Sequence, residues 1–238
     1  MIKKIVFIFL VFVLNLSTFG QNNTDFQGRF ITSVDYNINK KLKVSGEYRY
    51  SLQNDFEAFR SSAAEIGVKY DFNKRLNILG GYRFTTSFKE DNHRFFVGIK
   101  YNKKWNDFKA ALTSKYQYST NSFDPDFMQY YKEPVQFLRE EISLDYDIPN
   151  TKVSVFIASE IFLKIDSQPY LKWNRMRYSI GGEYKLKYGT TLGLSTFYDD
   201  KVTPKKDDRI IIVTKLNISI DDFLKKIKKN KKKKEAKN

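Results

Sequence analysis

Side chains able to perform covalent chemistry are scarce in this sequence. Its 238 residues contain no Cys and one His, which excludes a thiol nucleophile and a metal site built from several histidines. The histidine, His93, stands beside Arg94, and Ser87 and Glu90 are close in sequence. A serine activated by an oriented histidine is the arrangement of an acyl hydrolase. His93 is therefore the one candidate catalytic residue, and a rim histidine without catalytic role is the alternative.

Signatures for metals and phosphate groups are also weak. Asp124 and Asp126, and the pair Asp199-Asp200, could offer oxygen ligands to Ca²⁺, but they lack the spacing of a known calcium loop and are expected to be solvated loop tips. The pairs Gly80-Gly81 and Gly181-Gly182 lie inside predicted strands, where glycine marks a bend or a close approach. We expect neither a metal nor a cofactor.

The first twenty residues have the order of a secretory signal peptide. Lys3 and Lys4 precede the apolar run Ile5–Leu14, and small and polar residues follow up to Gly20. Ten apolar residues are too few to span a bilayer, which needs about 20. We therefore expect export of a mature chain that starts near Gln21, and nucleic acid is not an expected partner despite the formal charge of +15.

Nearly all of the mature chain alternates apolar and polar residues with period two, the pattern of strands with two different faces. In Leu42–Leu52, for example, every charged residue falls on one face. Most such segments reach the roughly 9–11 residues that a tilted membrane strand needs. Eleven are recognised: Phe26–Ile38, Leu42–Leu52, Ser62–Phe72, Leu76–Phe88, Phe95–Tyr101, Phe108–Tyr118, Ile142–Ile148, Val153–Ile161, Met176–Leu186, Leu192–Tyr198 and Ile210–Ile220.

The connections between these segments alternate in length. Short turns, such as Asn39-Lys40 and Asn73-Lys74, belong to a weak internal repeat in which 36–44 matches 70–78. An outer-membrane barrel has short turns at one end and longer loops at the other. The predicted long loops are Gln53–Arg60, Lys89–His93, Thr120–Gln136, Lys164–Asn174 and Asp199–Asp208.

Aromatic residues occur near the strand ends of the apolar face, where two girdles would flank the hydrocarbon layer of a membrane. The predicted girdle at the turn end comprises Tyr36, Tyr70, Tyr101, Tyr146 and Tyr184. The opposite girdle comprises Tyr48, Tyr50, Phe84, Phe88, Phe95, Tyr116, Tyr118 and Tyr198.

Fold class follows from these patterns. A soluble β-sandwich or lipocalin-like barrel shows the same alternation with the apolar face turned inward. The long strands, alternating loops and terminal aromatics favour an all-β, transmembrane, antiparallel up-and-down β-barrel of about 10–12 strands over residues 21–220. Because bacterial single-chain barrels have even strand numbers, we expect that a strand has been missed, near Gln21–Arg29 or within Thr120–Gln136, or that two were merged.

Charges of both signs occupy the opposite face, which a membrane barrel turns toward its lumen. They could form a plug of salt bridges, or line a narrow, anion-favouring pore or a polar ligand pocket. The predicted lumen-lining residues are Glu47, Arg49, Glu65, Lys69, Arg83, Arg94, Lys100, Lys115, Arg139, Glu141, Glu160, Arg175, Arg177, Glu183 and Lys185.

The last eighteen residues, 221–238, form a separate basic tail with net charge +6, against +7 for 21–220. Such a density of like charge predicts an extended or disordered segment. On the periplasmic side it could be a solvated tail, or it could tether the barrel to an anionic partner such as cell-wall polymer or lipid headgroups. The tail lysines are Lys225, Lys226, Lys228, Lys229, Lys231, Lys232, Lys233 and Lys234.

Several segments resemble one known family. They are the signal end Phe19-Gly20-Gln21, the opening strand Phe26-Gln27-Gly28-Arg29-Phe30, and the turn 39–42 that leads into Glu47-Tyr48-Arg49. In these the chain resembles, over about Thr24 to Ile220, the outer-membrane barrel family catalogued as domain of unknown function 2490. The resemblance implies an outer-membrane β-barrel and carries no established activity and no catalytic residues.

The sequence thus predicts a barrel exported to the outer membrane of a Gram-negative bacterium. A narrow pore or transport role with a charged lumen is the first hypothesis. The alternatives are a plugged structural or interaction barrel tethered through its tail, and an outer-membrane lipid hydrolase or deacylase that uses His93.

Overall fold

A computed structural model shows a closed barrel of eleven strands. It describes residues 25–88, 90–123, 133–165, 171–201 and 209–224. The predicted signal peptide and the tail lysines lie outside these residues. The strands are β1 (Asp25–Asn37), β2 (Leu42–Gln53), β3 (Ala58–Asp71), β4 (Leu76–Thr86), β5 (Asp91–Trp105), β6 (Phe108–Phe123), β7 (Val135–Asp147), β8 (Val153–Ile165), β9 (Leu171–Lys185), β10 (Thr190–Lys201) and β11 (Arg209–Ser219).

The order of strands around the barrel follows the sequence, with each strand antiparallel to the next, until β11 meets β1 in parallel. This seam runs without a break from the pair Asp25 and Arg209 to the pair Asp35 and Ser219. The all-β barrel and the eleven segments are confirmed. The expectation of a missed or merged strand is wrong, because β1 and β11 bond to each other directly.

Most strands extend further toward the loop end of the barrel than the sequence pattern predicts. β7 begins at Val135 rather than Ile142. Its backbone ladder with β6 continues through residues 135–141, but Gln136 and Glu140 put polar side chains on the outward face there. The apolar–polar alternation is therefore lost in this part of the strand. β4 is the exception and ends at Thr86, before Phe88. Two of the predicted long loops are consequently short, since β2 and β3 are joined by residues 54–57 and β4 and β5 by 87–90.

The outer surface of the barrel is apolar. Large aliphatic side chains at mid-strand are strongly exposed there, among them Ile66 and Ile142 at 61% each and Leu194 at 58%. The interior carries most of the charged side chains of the strands, together with a small aliphatic cluster of Ile31, Ile211 and Val213 and phenyl rings such as Phe162. A soluble barrel has the reverse arrangement. In the part of the chain that the structure describes, no helix is long and apolar enough to cross a membrane.

Aromatic side chains of the outward face gather near the two ends of the barrel. At the turn end, Tyr36, Tyr70, Tyr101, Tyr146 and Tyr184 all lie on outward positions within the last residue pairs of their strands. At the loop end, Tyr178 stacks on Tyr198. Tyr48, Phe84, Tyr116 and Tyr118 also point outward there. Phe88 follows the end of β4 and packs edge-on against Phe59 at the mouth of the cavity.

Two turns at the turn end repeat each other in structure as they do in sequence. Asn39 Oδ1 accepts hydrogen bonds from the backbone N–H groups of Lys41 and Leu42, at 2.8 and 2.9 Å. Asn73 Oδ1 accepts the equivalent bonds from 75 and 76, also at 2.8 and 2.9 Å. An Asn side chain that bonds the backbone two residues onward is a common turn-forming device. The internal repeat therefore encodes one turn used twice.

Removing either turn asparagine should destabilise the barrel. We expect Asn39→Ala and Asn73→Ala each to lower the free energy of unfolding by about 1 kcal/mol, because two backbone donors lose their acceptor at the turn. Asn39→Asp keeps the acceptor oxygen and should cost less. Urea unfolding of the folded barrel in vesicles, followed by tryptophan fluorescence, measures the change. Lys40→Ala, in the same turn, is the matched control, and an equal loss in that variant would contradict the role of Asn39.

Candidate functional site: the charged interior

The barrel encloses a cavity of about 1020 Å³ that extends to the loop end. Nine arginines and two lysines line it, against five acidic residues. The basic residues are Arg29, Arg49, Arg60, Arg83, Arg94, Lys115, Arg139, Arg175, Arg177, Arg209 and Lys215, and the acidic ones are Glu47, Glu65, Glu90, Glu183 and Asp199.

Strand register places these charges in rows across the wall. Glu47, Glu65, Arg83 and Arg94 are successive partners on β2, β3, β4 and β5. Because side chains alternate between the two faces of a strand, all four point inward. Arg83 pairs with Glu65, and Glu47 pairs with Arg49 on the same strand. This row therefore holds its charges partly in ion pairs between neighbouring positions.

One carboxylate, Asp199, joins three arginines on the opposite wall. Its side chain is fully buried. Arg177 binds it with two donors, at 2.5 and 2.9 Å. Arg175 on the same strand lies 3.2 Å away, and Arg209 on the adjacent β11 lies 3.5 Å away. Paired N–H donors from guanidinium to carboxylate are among the strongest hydrogen bonds in proteins, so this cluster fixes β9, β10 and β11 relative to one another.

A phenyl ring organises the same group of arginines. The guanidinium carbons of Arg175 and Arg139 lie 3.9 and 4.5 Å from the ring centre of Phe162, within the range of a cation–π contact. Arg139 also donates to Glu160 at 3.0 Å and to Gln117 at 2.9 Å. Stacking covers the faces of these guanidinium groups and leaves their edges to donate hydrogen bonds.

Three of the nine cavity arginines, Arg29, Arg60 and Arg94, make no ion pair or side-chain hydrogen bond within the described ranges. Arg29 and Arg94 differ from Arg60 in that their Nε atoms are buried without a partner. The cross-strand neighbour of Arg94 on β4, Arg83, is itself a guanidinium group, and Arg49, Arg139 and Arg175 line the same cavity. The β1–β5 side of the cavity therefore carries positive charge that the protein itself does not balance there.

Most of the residues expected in the lumen line this cavity. They are Glu47, Arg49, Glu65, Arg83, Arg94, Lys115, Arg139, Arg175, Arg177 and Glu183. Glu160 lies behind them, buried beside Arg139. Lys69, Lys100 and Glu141 face inward nearer the turn end, where Lys69 pairs with Asp71 at 2.9 Å. Lys185 lies at the turn-end rim, with its side chain 61% exposed and its amine 3.7 Å from Asp147.

Six cavity charges were missed among the predicted lumen residues, and one of them, Glu90, lies in the short connection between β4 and β5. Arg29 and Lys215 stand on the polar face of predicted strands, so strict alternation would have found them. Arg60 sits at a register shift in β3, which alternation does not detect. Asp199 and Arg209 pair between β10 and β11. The expectation that Asp199 is a solvated loop tip is wrong, because β10 continues to Lys201 and buries it.

His93 lies on the outward face of β5. Its Nδ1 is 2.7 Å from the hydroxyl of Tyr82, and its ring packs against Phe84. The Ser87 hydroxyl bonds instead with the backbone of Glu90, at 3.0 and 3.2 Å. The polar partner of the imidazole is thus a phenol, and this geometry does not supply the serine that acyl hydrolysis requires.

Among the residues that the structure describes, no group of three or more His, Cys, Asp or Glu is arranged to hold a metal ion.

The closed sheet and its polar interior define a porin-like β-barrel. Among solved structures, the chain is similar to a bacterial polysaccharide outer-membrane secretin, with TM-score 0.50 and 9% identity over 74% of this chain and 63% of that one. It is also similar to the NanC porin, with TM-score 0.50 and 12% identity over 78% of this chain and 93% of that one. At these identities the similarity establishes the fold alone. No curated protein matches the sequence significantly.

The chain belongs to the family described as "Protein of unknown function (DUF2490)", whose model matches residues 26–209. The matched range runs from the second residue of β1 to the first residue of β11. The match therefore covers the first ten strands of the barrel and ends at the start of β11. The resemblance seen in the sequence is confirmed.

Neutralising the buried carboxylate should strongly destabilise the barrel. We expect Asp199→Asn to lower the free energy of unfolding by about 3–5 kcal/mol, since three clustered guanidinium groups lose their shared counter-charge. Asp200→Asn removes the same charge from the adjacent, outward position of β10 and is the matched control. Urea unfolding in vesicles measures both. Equal stability of the two variants would show that Asp199 does not hold the cluster together.

Proposed function

We propose that this protein is a narrow, anion-favouring pore in the outer membrane of a Gram-negative bacterium, exported by means of residues 1–20. The observation that carries the proposal is the cavity itself, which combines a volume of about 1020 Å³ with eleven basic and five acidic residues. Rings of Arg and Lys side chains are the usual lining of anion-selective pores.

The outer surface supports a membrane location. Exposed aliphatic residues at mid-strand, such as Ile99, Leu112 and Ile157, are 53–54% accessible and would contact lipid. The aromatic girdles flank this band, as they do in known outer-membrane barrels. The two solved structures of similar fold are named as a porin and as a polysaccharide outer-membrane secretin. Transport of a solute across the outer membrane is consistent with both names.

Charge in the lumen supports the preference for anions. Low-dielectric walls concentrate the field of fixed charges and raise the local concentration of counter-ions. Both the ion-paired and the unpaired arginines lie on the cavity wall, so the excess of positive charge faces the space that a solute would occupy. Chloride should therefore pass more readily than potassium.

Conductance of the purified protein in a planar bilayer tests the proposal. We expect steady single-channel conductance and, in a potassium chloride gradient, a reversal potential with the sign of chloride selectivity. Lys115→Glu reverses a charge on the cavity wall and should reduce the chloride-to-potassium permeability ratio several-fold, because the local field weakens.

The matched control for this experiment is Lys103→Glu. Lys103 lies on the same hairpin but on the exposed outer side of β5 near the turn end, so its reversal should leave the permeability ratio close to wild type. Cation selectivity of the wild type would contradict the preference for anions. A silent bilayer would contradict the pore and favour a plugged structural barrel.

A second function, attachment to an anionic periplasmic partner through the tail, is favoured by the geometry of the turn end. After β11, residues 220–224 form a helical turn. The backbone and side-chain amides of Asn37 both donate to Asp221, at 2.8 and 2.9 Å. The chain therefore leaves the barrel beside the β1–β2 turn, on the side of the short turns, which face the periplasm in outer-membrane barrels.

Truncation of the tail tests this second function. We expect a chain that ends at Leu224 to lose most of its co-sedimentation with isolated cell wall at low salt, because residues 225–238 carry nine lysines and one acid. Binding by the full chain should weaken as salt is raised, since screening reduces attraction between exposed charges. A full-length chain in which these lysines are replaced by glutamine distinguishes the effect of losing charge from the effect of shortening the chain. Equal recovery of all three proteins would contradict the tether.

A further inference from the structure

Among the described residues, two arginines of the cavity, Arg29 and Arg94, combine the lack of an ion pair with a buried Nε atom that has no hydrogen-bond partner. In the described chain, Arg49, Arg83, Arg139, Arg175, Arg177 and Arg209 all make ion pairs with carboxylates inside the barrel. Arg29 on β1, Arg60 on β3 and Arg94 on β5 make none there, and the Nε atoms of Arg29 and Arg94 are also buried without a hydrogen-bond partner. Buried charge without a partner is costly, so these positions call for an anion from outside the chain.

The surroundings of the two arginines favour such an anion. Arg29 and Arg94 line the same cavity, and Arg49 on β2 and Arg83 on β4 line it between them, so the unpaired groups belong to one basic surface. The wall between them carries Glu47 and Glu65, which pair with Arg49 and Arg83, and also the small side chains of Ser61 and Ala63. Guanidinium groups present planar sets of N–H donors that match the oxygens of carboxylate and phosphate groups.

We infer that Arg29 and Arg94 form a binding site for the carboxylate or phosphate group of a small acidic solute inside the barrel. The inference rests on the proposed function in one respect, since it takes the cavity to be accessible to solutes. A pore needs only a favourable field, whereas this site binds its solute directly through two named side chains. The cavity volume, about 1020 Å³, is sufficient for a sugar-sized acid.

Calorimetric titration of the purified full-length protein in detergent tests the site. The probes are glucuronate and inorganic phosphate at constant ionic strength, with glucose as the neutral comparison. We expect saturable binding of at least one oxyanion and none of glucose. Arg29→Gln and Arg94→Gln should each weaken that binding about tenfold or more, the effect of losing one hydrogen bond between charged groups. Lys103→Gln, outside the cavity, should bind as the wild type does.

Two further variants place a carboxylate of the protein itself beside each unpaired arginine. Ser119 is the cross-strand partner of Arg94, and Ser51 is the partner of Arg29. Directly opposed positions are close enough for an introduced aspartate to reach the guanidinium group. We expect Ser119→Asp and Ser51→Asp to fold, to unfold at higher urea concentration than the wild type in the absence of oxyanion, and to bind the oxyanion at least tenfold more weakly.

The outcomes separate the site from the pore. Preference for glucuronate identifies an organic acid as the solute, and preference for phosphate identifies a phosphate group; both support the site if the arginine variants weaken binding. Binding of neither probe, or equal binding by the wild type, Arg29→Gln and Arg94→Gln, overturns it. Conductance is measured on the same preparations. Chloride-selective conductance without oxyanion binding would contradict the binding site and support the pore. Oxyanion binding without conductance would contradict the pore and support the binding site.

Discussion

The fold depends on the closure of the sheet between β1 and β11. Backbone N–H and C=O groups in a hydrocarbon environment have no water to bond, so a membrane sheet must have no free edge. With eleven strands in sequence order, the first and last run in the same direction, and the final ladder has to be parallel. Side chains reinforce it toward the turn end, where Asn217 accepts from Ser33 at 2.7 Å and donates to Asp35 at 3.2 Å.

Closure also determines where the charges go. Once the sheet is a cylinder, alternate residues of every strand face a shared interior, and charges from distant parts of the sequence become neighbours. Lys215 on β11 meets Glu47 on β2 in this way, across the seam, at 3.5 Å and 168 positions apart in the sequence. The β9–β11 wall concentrates its charges on one buried carboxylate, whereas the β1–β5 wall spaces its acids along a row and leaves Arg29 and Arg94 without one. The two walls thus differ in how their basic side chains are paired with carboxylates.

Period-two alternation was sufficient to predict the all-β class and the position of every strand, because each strand has one face toward the charged interior and one toward the apolar outside. It failed at the strand ends, where the outward positions become polar. Gln136 and Glu140 belong to β7, although the sequence pattern placed Gln136 in a loop and Glu140 outside every predicted strand. Glu140 bonds to Ser114 on the outer surface. The same failure hid Asp199, since its role comes from arginines on β9 and β11 that no local pattern connects to it.

The expectation of an even number of strands was wrong for a different reason. An even count is a regularity among known bacterial barrels and is not required by hydrogen bonding, which the parallel seam satisfies.

The distribution of charge argues against an interior that serves only to fill the barrel. A structural plug would match acids to bases, because each unpaired buried charge costs stability. Positions beside Arg29 show that charge is not needed there for folding, since Ile31, Ile211 and Val213 fill the same part of the interior with aliphatic side chains and are almost completely buried. Phe162 and Phe197 likewise pack inside, against guanidinium groups. The sequence uses apolar residues at some interior positions and keeps arginines without a counter-charge at others. Burying these arginines lowers the stability of the barrel, and folding does not require them. Such local conflicts in an otherwise consistent structure mark functional sites, and an anion inside the barrel would remove this one.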